Sequence, residues 1–287
     1  MNVKSDVALG LLGSDRVIRP KHGLVAIDLK ELWRYRELFL QLAWRNVLIR
    51  YKQTYLGISW AILQPLLTTV VFTIIFGKMA KLPSQGVPYA MLTFAGLIAW
   101  QFFANALTES SNSLVMSQGM VTKIYFPRIV LPTAAVLSGC VDFLITLGLL
   151  VGFMVWYKIQ PTPYLLLLPL FFAATFLASM AAGIWFSALN VKYRDVKYIV
   201  PFIVRIGFFA SPVAFLSNLT VPEKWLFWYN CLNPMAGIVE GFRFCILGPN
   251  FQPYWPGFWA GMLVILFLLV TGAFYFRTTE KTFADVI

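Results

Sequence analysis

Two ionisable residues, Asp142 and Arg205, interrupt long apolar stretches of this 287-residue chain. Placing a charge at the centre of an apolar span costs roughly 2.5–3.5 kcal/mol on insertion scales, so such residues normally have a partner or a task. The guanidinium of Arg205 can bind phosphate oxygens in a bidentate manner. Alternatively, Arg205 and Asp142 pair with each other and have only a structural role, and the sequence leaves both interpretations open.

Residue types for the commoner catalytic and metal sites are scarce. His22 is the single histidine, so neither a histidine metal cluster nor a His-based triad can form. The phosphate-binding pattern GxxxxGK[ST] occurs nowhere in the sequence. The cysteines form no CxxC pair, although Cys231 and Cys245 could form a disulfide on an oxidising side. The sequence therefore predicts no catalytic, cofactor-binding or metal-binding residue in this chain.

The composition is that of an integral membrane protein. Hydrophobic residues make up 59% and charged residues 12% of the chain, against about 45–50% and about 25% in a soluble domain. The apolar residues fall into six blocks, each long enough to cross a hydrocarbon core of about 30 Å. We therefore predict an all-α membrane protein with six transmembrane helices, at residues 57–77, 89–114, 129–157, 163–189, 197–216 and 255–276.

Positive charge lies mainly on one side of these spans. The inside segments, which are 1–56, 117–128, 190–197 and the tail 277–287, hold seventeen Lys and Arg, and the outside segments hold five. The positive-inside rule then predicts that both termini are cytoplasmic. The same distribution argues against a nucleic-acid-binding surface, despite the net charge of +11.

The segment ahead of the first span has the pattern of an amphipathic helix. At about 100° per residue, residues 31–52 place polar side chains on one narrow face. We predict a tail at 1–30, an interface helix at 31–56, and a bend at Gly57 and Pro65 into a transmembrane domain at 57–276. The helix serves either as an orientation anchor or as a contact for lipid phosphates or a soluble partner. Its polar face comprises Arg34, Glu37, Gln41, Arg45 and Lys52.

Two loops are unusual in composition. The inside loop 117–128 contains Ile124, Tyr125 and Phe126, whose exposure to water is unfavourable. We therefore expect that the loop either docks into a soluble partner or belongs to the interfacial aromatic belt. The outside loop 217–254 contains two apolar pieces that flank Asn233-Pro234, each too short to span, which predicts re-entrant or interfacial half-helices.

Two smaller expectations concern charges. Glu240 and Arg243 lie three residues apart in this outside loop, which predicts a local ion pair. In the inside segment 190–197, we expect Asp195 either to cap the following helix or to pair with Arg194 or Lys192.

Four stretches of the chain, in this order, resemble type-2 ABC exporter permeases, and among them the exporters of O-antigen or capsule polysaccharide. They are RYKQTYLGISWAILQPLL, VTKIYFPRIVLP, NVKYRDVKYIVP and LNPMAGIVEGFRFCILG. The resemblance runs from about Leu32 to Phe276. It implies a six-span inner-membrane subunit that forms a homodimer and pairs with two copies of a separate ATPase subunit, which binds MgATP. It also implies that a lipid-linked glycan, typically on undecaprenyl diphosphate, passes between the two permease subunits.

The resemblance also implies roles for particular residues. The ATPase-coupling element corresponds to Val121, Thr122, Lys123, Ile124, Tyr125, Phe126, Pro127 and Arg128. The amphipathic helix lies on the membrane surface, and Arg34, Gln41, Arg45 and Lys52 are its polar contacts. The gate on the periplasmic side comprises Asn233, Pro234, Glu240 and Arg243.

A long glycan needs a path that binds many sugar units without holding any one of them. Aromatic rings suit this task, because their apolar faces pack on sugar C–H groups in any register. Each of these aromatic side chains can equally be a packing or lipid-facing residue. The candidate route residues are Trp60, Phe94, Trp100, Phe103, Phe208 and Phe209, with Arg205 as a candidate contact for the diphosphate.

Other functions stay open at this stage. Within the same family, capsule, teichoic acid or a drug is an alternative cargo. A self-sufficient secondary transporter or channel would need ionisable relays in its spans, and Asp142 and Arg205 are few for that purpose. A membrane-embedded glycosyltransferase would need clustered carboxylates near the headgroups, whereas Asp195, Glu223 and Glu240 are scattered.

Overall fold

Helices dominate the part of the chain that the computed structural model describes, which is residues 33–52, 57–280 and 283. No strand occurs among these residues, so the all-α class is confirmed for them. The predicted tail 1–30 and parts of the segments 31–56 and 277–287 lie outside the described residues. The α-helices are α1 (Arg36–Lys52), α2 (Gly57–Phe72), α3 (Tyr89–Met116), α4 (Gln118–Val121), α5 (Val130–Trp156), α6 (Leu168–Lys192), α7 (Val196–Ala210), α8 (Ser217–Thr220), α9 (Glu223–Leu232), α10 (Pro234–Leu247) and α11 (Trp255–Glu280).

Five helical segments of the described chain are long and apolar enough to cross a membrane. They coincide with the first, second, third, fourth and sixth predicted spans. The first combines α2 with a π-helix, Thr73–Met79, and the fourth combines α6 with a preceding 3-10 helix, Pro163–Leu167. The segments are Ser59–Met79, Tyr89–Met116, Val130–Trp156, Pro163–Lys192 and Trp255–Glu280.

The remaining predicted span, 197–216, is shorter than expected. Its helix α7 has 15 residues and ends at Ala210, which gives roughly 22 Å at about 1.5 Å per residue. That is less than the hydrocarbon core of about 30 Å. The predicted helical end at 216 is therefore wrong, because the chain leaves the helix at Ser211 and enters an irregular turn. The sixth crossing stays a prediction.

Helix α3 lies at the centre of the bundle and packs on α5, α6 and α10. In its most apolar stretch, 83% of α3 is buried within the protein, whereas only 11% of the α2 span is buried. Close packing of α3 on α6 depends on Gly183, where a β-carbon would collide with Ser110. Few residues of this first span are therefore buried by the rest of the described chain.

Helix α1 runs alongside α5. Its residues Leu42 and Ala43 are buried in one apolar cluster with Leu131 and Ala134 of α5. The helix predicted at 31–52 is confirmed from Arg36 onward. Its predicted apolar face is only partly covered, since Ile49 is 59% exposed.

The two apolar pieces of the loop 217–254 form α9 and α10, which meet at Asn233. Pro234 is the first residue of α10, a position where its missing N–H costs no hydrogen bond. Helix α10 is buried along nearly its whole length, and α9 is mostly exposed. The two-helix prediction agrees with the structure, and whether these helices re-enter a membrane stays a prediction.

Candidate functional site

The predicted coupling element, Val121–Arg128, divides into an exposed tip and a buried base. Ile124 and Tyr125 are 59% and 67% exposed, whereas Val121 and Phe126 are almost completely buried. Thr122 and Lys123 are also exposed, and Pro127 and Arg128 are half-buried. The tip, Thr122–Tyr125, is therefore the part of this element that is most accessible to another protein.

The base of this element is fixed to the protein at two places. Phe126 packs in an apolar cluster with Leu42 of α1 and Ile184 of α6. The amide of Arg128 donates a hydrogen bond of 3.0 Å to Oε1 of Glu280, at the end of α11. The guanidinium of Arg128 also donates to the Glu280 carbonyl oxygen. A displacement of the tip would therefore also displace the parts of α1, α6 and α11 that the base contacts.

The inside segment 190–197 also presents exposed aromatic and basic side chains. The ammonium of Lys192 lies 5.3 Å from the Tyr193 ring centroid, and that of Lys197 lies 4.8 Å from the Tyr198 ring centroid. Asp195 occupies the N-cap position of α7, but its side chain makes no capping hydrogen bond. The expected side-chain cap is therefore wrong, and the described residues include no ion pair of Asp195 with Lys192 or Arg194.

The predicted polar contacts of the interface helix all lie on its open side. Arg34, Gln41, Arg45 and Lys52 are exposed. Arg45 also lies in the wall of a cavity of about 630 Å³ between α1, α3, α4 and α5. Cations on such a face can interact with lipid phosphates or with a soluble partner.

A charged cluster joins α1 to two of the spans. Arg50 forms ion pairs with Glu109 of α3 and with Asp142 of α5. The hydroxyl of Tyr51 donates to the second carboxylate oxygen of Asp142. Burial raises the pKa of Tyr51 above its ordinary value. The suggested pairing of Asp142 with Arg205 is therefore wrong. Asp142 contacts Arg50 and Tyr51 of α1, whereas Arg205 is exposed on α7.

Sequence reasoning missed Glu109 and the partners of Arg50. Glu109 lies inside the predicted span 89–114. Like Asp142, it is a carboxylate within an apolar block, and that feature could have identified it from the sequence. Arg50 lies in the segment 31–56, which was predicted to be an interface helix. It instead reaches into the bundle.

The candidate route residues fall into three groups by exposure. Trp60 and Phe209 are 53% and 63% exposed, and Arg205 is exposed beside Phe209 on α7. Phe103 and Phe208 are half-buried. Phe94 and Trp100 are buried, and Phe94 stacks on Phe153 with ring centroids 4.5 Å apart.

Aromatic contacts connect three of the helices that carry these residues. The Phe208 ring of α7 lies 5.2 Å from the Phe72 ring of α2 and 6.1 Å from the Trp100 ring of α3. Gly207 makes this contact possible, because a β-carbon there would lie 2.8 Å from the Trp100 ring. The exposed faces of α2 and α7 are therefore neighbours on one side of the protein.

Arg243, one of the predicted gate residues, is completely buried. Its guanidinium donates hydrogen bonds of 3.1, 2.8 and 2.7 Å to the carbonyl oxygens of Leu92, Phe215 and Val213. Two of these carbonyls belong to the irregular turn after α7, whose backbone lacks helical partners. Arg243 therefore supplies the hydrogen bonds that buried, non-helical backbone requires.

Glu240 lies one turn before Arg243 but has a different partner. Ser217 donates a hydrogen bond to the Glu240 carboxylate. Burial raises the pKa of Glu240 to about 7, and the positive charge of Arg243 opposes this increase. Among the ion pairs of the described residues, none joins Glu240 to Arg243. The predicted local ion pair is therefore wrong, since Arg243 points toward backbone carbonyls.

The end of α7 is bound to the junction between α9 and α10. The carbonyl of Ala210 accepts hydrogen bonds from the Tyr229 hydroxyl at 2.7 Å and the Asn233 side-chain amide at 3.3 Å. The same amide donates to the Ser211 hydroxyl at 2.9 Å. Cys231 and Cys245 are free thiols, so the suggested disulfide does not form.

With five apolar helices of spanning length, the chain is a multi-pass membrane protein. It belongs to the ABC-2 type transporter family, because the model of that family matches residues 37–247. Members of this family are membrane subunits, and their resemblance to this chain was evident in its four quoted stretches. The identification as a type-2 ABC exporter permease is confirmed.

Curated relatives agree with this family. The chain is 27% identical to the O-antigen export system permease protein RfbA of Myxococcus xanthus, over 90% of this chain and 98% of the relative. It is 26% identical to a protein of the same name from Klebsiella pneumoniae, over 88% and 95%. It is 23% identical to the polysialic acid transport protein KpsM of Escherichia coli, over 83% and 91%.

Proposed function

We propose that this chain is the permease subunit of an ATP-driven exporter that moves a lipid-linked polysaccharide from the cytoplasm to the periplasm. One observation carries the proposal within the ABC-2 family: an exposed apolar tip, Ile124 and Tyr125, on a base that Phe126 and Arg128 fix to the protein. Covering such a tip with another protein is favourable, because it removes apolar surface from water. The partner is a separate ATPase subunit that binds MgATP, present in two copies.

The permease acts as a homodimer with the route between its two copies. The exposed faces of α2 and α7 support this arrangement, because they are adjacent and leave a broad apolar surface uncovered. Tyr198, Phe202, Arg205 and Phe209 follow one another at helical spacing along α7 and form one stripe. Phe94 is omitted from the route, since its side chain has no exposed surface.

The cargo is a polysaccharide on a lipid diphosphate such as undecaprenyl diphosphate. The names of the relatives, which refer to O-antigen export and polysialic acid transport, both concern polysaccharides. Arg205 is exposed on the α7 stripe, so its guanidinium is free to approach phosphate oxygens. The aromatic neighbours Phe208 and Phe209 offer ring faces to sugar units. The Escherichia coli relative makes a capsule-type glycan the second candidate cargo.

The proposed setting is the bacterial inner membrane with both termini in the cytoplasm. In this orientation α1 lies at the cytoplasmic surface, with Arg45 and Lys52 toward lipid phosphates or the ATPase. Helices α9 and α10 re-enter the membrane from the periplasmic side and form the gate around Asn233, Pro234, Glu240 and Arg243. The α7 segment and its following turn make the sixth crossing.

Affinity purification from native cells in mild detergent tests this proposal, with mass spectrometry of the proteins and lipids that remain bound. We expect an ATPase subunit in equal amount and a lipid-linked glycan. A chain that is recovered alone from several detergents would instead support a self-sufficient transporter. A complex that contains the ATPase without any glycan would keep the exporter class and reject the cargo.

A further inference from the structure

A groove lies between α2 and α5 at the end of the bundle farthest from the coupling element. It encloses about 550 Å³, which is within the range of small-molecule sites. Its lining comes from the last turns of α5, the start of α3, and the region where α2 continues as a π-helix. The lining residues include Thr69, Thr73, Lys78, Gly152, Phe153 and Trp156.

The walls of this groove present mainly apolar side chains. Val70, Ile74 and Leu149 contribute aliphatic side chains, and Phe153 and Trp156 contribute rings. The hydroxyl protons of both threonines already form hydrogen bonds within the same span, because Thr69 donates to the Pro65 carbonyl at 2.8 Å and Thr73 to the Thr69 carbonyl at 2.7 Å. A polar solute would find few hydrogen-bond partners there, whereas a hydrocarbon chain needs none.

The mouth of the groove is positively charged. Lys78 lies in its wall and is exposed. Lys81 follows three residues later, and Lys158 comes directly after Tyr157, which also lines the groove. No Asp or Glu occurs in residues 73–90 or 145–165. The exposed ring of Trp156 is of the type that lies at the headgroup level of a membrane.

The π-helix Thr73–Met79 forms part of the wall of this groove. Such wide turns are rare and often occur at functional sites. Gly77 lets the π-helix approach α3, since a β-carbon there would lie 2.9 Å from the ring of Tyr89. The same turn carries both Ile74 of the apolar wall and Lys78 of the charged mouth.

We propose that this groove binds an anionic phospholipid, with one acyl chain along α2 and α5 and the headgroup phosphate beside Lys78. The combination of an apolar wall and a cationic mouth matches the two parts of such a lipid. The site requires only that the chain spans a membrane. It does not depend on the cargo, on the ATPase or on which end is periplasmic.

A second copy of this chain is a poorer occupant on grounds of charge. The proposed dimer faces, on the span Ser59–Met79 and on α7, carry cations and no carboxylate: Lys78 on the π-helix that follows α2, and Lys197 and Arg205 on α7. Neither face offers a carboxylate to Lys78. An anionic lipid supplies the opposite charge.

Native mass spectrometry tests the proposal with the full chain in nanodiscs of phosphatidylcholine and a minor fraction of phosphatidylglycerol. Gly152→Leu fills the groove, because no heavy atom lies within 4 Å of a β-carbon there. Val151→Phe is the control, since it adds comparable bulk at an exposed position of the same helix that lies outside the groove. Lys78→Gln removes the charge at the mouth, and Lys224→Gln is its control on exposed α9.

We expect Gly152→Leu to lower the amount of retained phosphatidylglycerol several-fold and Lys78→Gln to abolish its preference over phosphatidylcholine. Both control variants should retain the lipid as the unaltered protein does. Unchanged retention in Gly152→Leu and Lys78→Gln would overturn the proposal. Loss of the dimer in Gly152→Leu without loss of lipid would also overturn it and would assign the groove to a second copy. If Gly152→Leu fails to fold, the lipid preference of Lys78→Gln decides the question.

Discussion

The guanidinium of Arg50, near the end of α1, forms an ion pair with Asp142 of α5. Asp142 lies twelve residues after Val130, the first residue of α5, so this contact is roughly three turns inside that helix. The same guanidinium also binds Glu109 of α3. One arginine therefore connects the helix that precedes the first span to both of these membrane helices.

Arg50→Gln should destabilise the protein markedly. The substitution leaves Glu109 and Asp142 without their countercharge. Because the side chains of these pairs keep 19–38% of their surface exposed, the loss lies between the about 0.2–1 kcal/mol of an exposed pair and the about 3–5 kcal/mol of a fully buried one. Thermal unfolding in detergent measures the effect, with Arg45→Gln as a matched control from the exposed face of α1. Equal melting temperatures for these two variants would show that the cluster contributes little.

Replacing all three charges should recover much of this loss. In Arg50→Met, Glu109→Gln, Asp142→Asn, no unpaired charge remains, and apolar or neutral substitutes for buried ion pairs are often nearly neutral. A triple variant as unstable as Arg50→Gln would instead point to a loss of packing.

Tyr125→Ala and Lys123→Glu should weaken the association with the ATPase and leave the fold unchanged. Both side chains lie on the exposed tip of the coupling element. Co-purification of the ATPase and the melting temperature of the permease measure the two effects separately. Trp228→Ala, which removes a 59% exposed ring from α9, serves as the control for loss of an exposed aromatic.

Phe126→Ala should act differently, although Phe126 is the next residue. Phe126 is 4% exposed, and replacing a buried phenylalanine by alanine typically costs about 3–5 kcal/mol. We expect a lower melting temperature, with weaker ATPase binding only as a consequence. A stable Phe126→Ala protein that fails to bind the ATPase would show that this side chain contacts the partner directly.

Arg243→Met should loosen the turn after α7. The turn carbonyls of Val213 and Phe215 lose their side-chain donor, and each unsatisfied buried group costs about 1–3 kcal/mol. Arg243→Lys should rescue only part of the loss, because an ammonium lacks the planar fork of the guanidinium. Thermal unfolding compares both variants with Lys224→Gln, and an unchanged melting temperature for Arg243→Met would contradict the assigned role.

Cysteines at exposed positions of α7 should cross-link two copies in the membrane. The three native cysteines are free, so a background in which each becomes alanine removes competing thiols. Phe202→Cys, Ile206→Cys and Phe209→Cys are each treated with a bis-maleimide and the dimer is measured on a denaturing gel. Leu166→Cys is the control, since its side chain is 86% exposed and lies on another part of the protein. Failure at all three α7 positions would reject a dimer through this face.

The sequence by itself determined the class of the protein and the positions of most helices. Hydropathy is a local property, and a block such as 89–114 must cross the membrane wherever its neighbours lie. The break at Asn233-Pro234 was equally local, because proline begins a helix more readily than it continues one. The four family stretches identified the permease family for the same reason: they are contiguous in the chain.

Tertiary structure alone decided which side chains meet. Arg50 and Asp142 are 92 residues apart, and no periodicity in α1 indicates that Arg50 lies on the side facing α5 at the right depth. Phe126 looks like its neighbour Tyr125 in sequence, yet one is buried against Leu42 and the other is exposed. Arg243 bonds to backbone carbonyls because the chain leaves the helix at Ser211. Each of these outcomes depends on packing between distant segments, where burial and unsatisfied polar groups set the free energy.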